Sequence, residues 1–67
     1  MNSIMKIQNL NNSSDVSKIN NIMSQIEGVI ACEISVDRRE IQVVYNEAIV
    51  KLEDIIGDIE DIGYIVI

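Results

Sequence analysis

The chain contains no histidine, no tryptophan and no phenylalanine, and it has a single cysteine, Cys32. Without histidine, imidazole-based acid or base catalysis is unavailable. One cysteine cannot close an internal disulfide, and with no histidine beside it the chain alone cannot assemble a zinc finger or an iron–sulfur centre. Tyr45 and Tyr64 are the only aromatic residues, so ring stacking contributes little to the interior. Cations are scarce as well: five basic against eleven acidic side chains give a formal charge of -6. Arg38-Arg39 is the only basic cluster, and neither a nucleic-acid backbone nor an anionic bilayer finds a matching surface. Apolar runs of a few residues fall far short of the ~20 needed to insert across a membrane. Residues 1–10 lack the basic start and apolar block of a signal peptide, which makes a cytoplasmic setting the expectation. The carboxylates that remain are dispersed, with no paired, desolvated site, so the chain is not expected to be an enzyme.

What is present is a strongly aliphatic chain of 67 residues, 48% hydrophobic and rich in isoleucine and valine. That length suits one hydrophobic core, hence a single domain over residues 1–67. Met5 and Ile7 alternate with Lys6 and Gln8, the pattern of a strand with one buried face. A polar loop follows from Asn9 to Ser14, broken only by Leu10. Val16, Ile19, Ile22, Met23 and Ile26 then recur at helical spacing. Ser13 or Ser14 is placed to cap that helix, Asp15 suits its positive end, and Gly28 stands where a left-handed terminating residue is wanted.

Cys32, Ile34 and Val36 alternate with Glu33 and Ser35, and Ile41, Val43 and Tyr45 with Gln42 and Val44, around a polar turn at 37–40. These segments predict a hairpin. Leu52, Ile55, Ile56, Ile59 and Ile62 form a second apolar stripe whose wet face carries Glu53, Asp54, Asp58, Glu60 and Asp61. Gly57 interrupts it on the polar side, and Gly63 ends it. Tyr64 to Ile67 supplies a last short strand. The order β-α-β-β-α-β predicts an α+β, ferredoxin-like sandwich: a four-stranded antiparallel sheet, fourth strand beside first, then third, then second, with both helices on one face.

Ile7-Gln8-Asn9-Leu10, the polar loop and a helix ending at Gly28-Val29 resemble the opening of the heavy-metal-associated (HMA) domain of copper chaperones and metal-pumping ATPases. Cys32 to Val36 with Ile41 to Tyr45 resembles its central hairpin, and Ile55 to Tyr64 its second helix and Gly-Tyr ending. The resemblance spans residues 5–67. Its defining Gly-Met-x-Cys-x-x-Cys segment is altered here: Leu10 stands for the anchoring methionine, and the cysteine positions fall on Asn12 and Asp15.

Soft ions select sulfur ligands, and an amide with one carboxylate is too small a set for a hard ion such as Ca2+. The resemblance therefore implies a degenerate metal motif and no cofactor, with an ion as the lesser reading, and a protein-interaction or structural module. The alternative is a metallochaperone-like copper-binding protein with a non-standard or dimer-shared site. The implied partner surface is Leu10, Asn11, Asn12, Ser13, Ser14, Asp15 and Tyr64. Its implied partners are another HMA-like domain or a metal-transport protein, with a homodimer as a further candidate. Cys32, Met5 and Met23 lie on apolar rows and are expected to fill the core.

Overall fold

The computed structural model describes all 67 residues. Strand β1 (Asn2–Lys6) leads to helix α1 (Ser13–Gln25), the hairpin β2 (Val29–Ser35) and β3 (Glu40–Tyr45), and helix α2 (Leu52–Asp61). The sheet is antiparallel in the order β1-β3-β2. Met5 lies opposite Ile41 across the first pair, and Cys32 opposite Val43 across the second. Alternation sends Met5, Ile41, Val43 and Tyr45 to one face, where they meet Ile19 and Met23 of α1 and Ile55 and Ile59 of α2 in a single cluster. This is the ferredoxin-like α+β arrangement that the sequence predicts.

The fourth strand departs from expectation. After Gly63 the chain returns to the outer side of β1, but it forms one isolated antiparallel bridge, Ile7 to Val66, in place of a ladder. Side-chain bonds explain the shortening. The Ile65 N–H donates to the Asn9 side-chain oxygen at 2.9 Å, and only the Gln8 N–H to Ile65 and the Ile67 N–H to Lys6 resemble rungs, at 2.8 and 3.0 Å.

The row Cys32, Ile34, Val36 is also only half-buried, because β2 is an edge strand, and Val36 belongs to the turn. Arg39 occupies that turn at φ 53 in the absence of a glycine or asparagine. Ile62, placed on the apolar stripe by its spacing, is exposed at the C-cap of α2.

Gly28 turns the chain from α1 into β2 at φ 99, and a Cβ there would approach Val50 Cγ1 to 2.8 Å. Gly57 is the opposite case: it is helical, and nothing lies within 4 Å of an added Cβ. Gly57→Ala is therefore expected to raise stability by up to about 1 kcal/mol, read as a higher urea midpoint. A lower midpoint would contradict the open space seen there.

Candidate functional site

The loop between β1 and α1 is built from its two ends. Leu10 is fully buried and pins the loop to the core, leaving Asn11, Asn12, Ser13 and Ser14 exposed. Asn9 ties the loop to the far end of the chain, its amide donating to the Gly63 carbonyl at 3.1 Å and its oxygen accepting from Ile65 N–H. The cap of α1 is Asn12, one residue before the two serines expected in that role. Its Oδ1 accepts from the Asp15 N–H at 3.0 Å, while Asp15 Oδ2 accepts from the backbone N–H of Asn11 at 2.9 Å and of Asn12 at 3.3 Å. This reciprocal pair is a capping box. The signal was present in the sequence as an asparagine followed three residues later by an acid; nothing marked Asn9.

The other oxygen of Asp15 completes a clasp. Tyr64, almost fully buried, donates its hydroxyl to Asp15 Oδ1 at 2.6 Å. That bond, followed by the Asn11 N–H, holds the Asp15 carboxyl below its ordinary pKa of 3.8. Desolvation and the same carboxylate push the Tyr64 phenol up to about 12. The clasp needs an ionised Asp15 and a protonated Tyr64. Asp15, with its pKa depressed on folding, adds stability above 3.8 that is lost as pH falls through its lower folded value. Tyr64, with its pKa raised, adds stability that is complete below 10.0 and lost as pH rises toward about 12. The clasp is thus at full strength between these limits. Tyr64→Phe is expected to move the Asp15 titration up toward its ordinary value, followed by NMR of the side-chain carboxyl carbon. An unmoved titration would show that the phenol is not what depresses it.

The donor set does not suit a metal ion. Both Asp15 oxygens and the Asn12 oxygen already accept hydrogen bonds, and no sulfur is present in the loop. Nowhere do three His, Cys, Asp or Glu side chains converge as ligands. Cys32 is elsewhere, half-buried on β2, its thiol donating to Asn20 Oδ1 of α1 at 3.5 Å, with burial pushing its pKa up. Met5 and Met23 are buried in the core, as their spacing implies. No helix is long and apolar enough to cross a membrane.

The fold is that of several solved proteins. A CopZ metallochaperone is 21% identical over the whole of both chains, with a TM-score of 0.95. The yeast copper transporter domain Ccc2a, solved in apo and Cu(I)-loaded states, is 29% identical over 97% of this chain and 89% of its own, with a TM-score of 0.89. The Atx1-Cu(I)-Ccc2a complex contains a chain 29% identical over 98% of this one and 90% of its own, at 0.87. No curated protein sequence is significantly similar. These neighbours are named for metal carriage, and none for catalysis. Residues 4–64 match the sequence model of the heavy-metal-associated domain, and the chain belongs to that family as a member with a degenerate metal motif, its single cysteine lying elsewhere, on β2.

Proposed function

We propose that this chain serves heavy-metal handling as a docking domain: the loop end of Leu10 to Asp15, backed by Tyr64, meets another domain of its family, and the loop itself does not carry the soft ion. The observation behind this reading is the Asp15 clasp. A carboxylate at one of the positions taken for ligands is committed to Tyr64 and two backbone N–H groups, so the loop is held in shape by hydrogen bonds. Its exposed face offers amides and hydroxyls, groups suited to recognition rather than to ligation of a soft cation. The yeast complex of two related proteins supports pairing as the mode of action.

The kinship with copper chaperones favours a second reading, a metallochaperone-like copper-binding protein with a non-standard or dimer-shared site. The comparisons weigh toward this reading, whereas the donor chemistry of the loop weighs toward docking. A shared thiolate site would have to take its sulfur from Cys32 of two copies, since there is no other cysteine.

Cu(I) titration followed by native mass spectrometry separates the two. No stoichiometric complex, together with NMR shifts confined to residues 10–15 and Tyr64 on adding an HMA domain with an intact Cys-x-x-Cys motif, is the expected result. A stoichiometric Cu(I) complex that protects the thiol from alkylation would replace the docking reading with the second.

A further inference from the structure

Both arginines of this anionic chain stand without a carboxylate partner. Acidic side chains outnumber basic ones eleven to five, yet the one ion pair is Lys6 with Glu40, at 3.5 Å. Arg38 and Arg39 lie in the turn between β2 and β3, and the pairing of Lys6 with Glu40 across β1 and β3 brings a third cation beside them.

A hollow of about 430 Å³, the largest in the molecule, opens at this cluster. Lys6, Gln8, Arg38 and Arg39 line it together with Ile7 and the exposed Ile67, and no acidic side chain takes part. Glu33 and Glu40 line a separate, smaller hollow on the open face of the sheet, which Arg38 also borders.

Backbone bonds fix the turn. The Ile7 N–H donates to the Arg39 carbonyl at 2.8 Å, and the Arg39 N–H to the Val36 carbonyl at 3.2 Å. Lys6 Nζ donates to the Arg38 carbonyl at 3.2 Å, and Arg39 Nη1 to the Gln8 carbonyl at 3.4 Å. Arg39 spends one guanidinium N–H on Gln8 and Arg38 spends none, so most of both forks is free to bind. Arg39 also holds its φ of 53 at an exposed position, where glycine would be unstrained and no core packing compensates. Backbone strain of this kind gathers at ligand clamps.

Guanidinium forks match the oxygens of carboxylate and phosphate groups in paired bonds. So small a cluster does not make the long basic track that a nucleic-acid backbone needs, whereas the volume suits a small organic molecule. Ile67 and the alkyl stems of the basic side chains offer that molecule an apolar wall.

We propose that this hollow binds a small organic anion, a carboxylate or phosphate group on a compact apolar body, with Arg38 and Arg39 taking the head group and Ile67 flanking the body. This goes beyond docking through the loop end and does not depend on it.

The test is an NMR titration that follows backbone amides and arginine side chains. Phenyl phosphate or benzoate is expected to give saturable shifts at residues 6–8, 38–39 and 67 below about 10 mM, and whichever binds more tightly names the head group. Inorganic phosphate, which lacks the body, and benzyl alcohol, which lacks the charge, should each bind about tenfold more weakly or worse. Arg39→Gly relieves the positive φ, so it should raise the urea midpoint while weakening the better probe about tenfold. Arg38→Gln should weaken it comparably, and Lys51→Gln, an equal loss of charge beyond the other end of β3, should leave it within about twofold. Inorganic phosphate binding as tightly as phenyl phosphate would mean an adventitious ion only, and benzyl alcohol binding as tightly as the anions would mean apolar adsorption; either overturns the proposal. So would the absence of saturation, or an affinity indifferent to both arginine variants.

Discussion

A chain carrying Asn12→Cys and Asp15→Cys together is expected to bind one Cu(I) ion about a thousand-fold more tightly than the parent, a difference of ~4 kcal/mol. The two positions are the N-cap and the third residue of α1, close enough that the backbone of one already bonds the side chain of the other at 3.0 Å. Thiols there would face the positive end of the helix, which lowers their pKa and favours the thiolate. The surrounding anchors, buried Leu10 and the Asn9 tie to Gly63, do not involve the substituted side chains. Losing the Asp15 clasp should make the metal-free variant less stable than the parent, and copper should restore what is lost. Competition against a chromophoric Cu(I) chelator measures the gain. An affinity within a few-fold of the parent would mean that Asn12 and Asp15 do not stand where the family places its cysteines.

Truncating Ile41 should have the largest effect on stability. It lies in the central strand β3, fully buried, and shares its cluster with residues of both helices and of β1. Ile41→Ala removes apolar contact and leaves a cavity, at a cost of roughly 2–5 kcal/mol. A domain of this length has only about 3–10 kcal/mol in total. Urea unfolding should therefore show a sharply lower midpoint, with much of the variant unfolded in buffer if the parent sits low in that range. Ile4→Ala, on the exposed face, should stay within about 0.5 kcal/mol. A cost below about 1 kcal/mol for Ile41→Ala would show that the core relaxes around the missing atoms.

The parts of the fold written plainly in the sequence are those governed by local periodicity. Ile55 and Ile59 recur at helical spacing and are buried, and Ile41, Val43 and Tyr45 alternate and are buried. The lack of sulfur in the first loop is equally plain, because it depends on residue type alone; that a metal motif would stand in this loop is what the family resemblance implies. What pattern could not show is where tertiary partners replace local rules. Tyr64 to Ile67 is apolar enough to suggest a strand, yet Asn9 and Asp15 capture its polar groups and leave one bridge. The alternation of Cys32 and Ile34 is correct, but position at the sheet edge leaves both half-exposed, and no single-strand pattern encodes which strand is outermost. The family resemblance groups Tyr64 with the first loop in one surface, but its bond to Asp15 joins residues far apart in the chain, and no local pattern encodes it.

Tyr64 belongs to the closing segment of the chain, whereas Asp15 belongs to the first helix, 49 residues earlier. Peeling that segment from the sheet would free the helix start at the same moment, so the two ends of the domain should fray together as one cooperative unit. Amide exchange in the last four residues and in the first turn of α1 should then report a common opening energy.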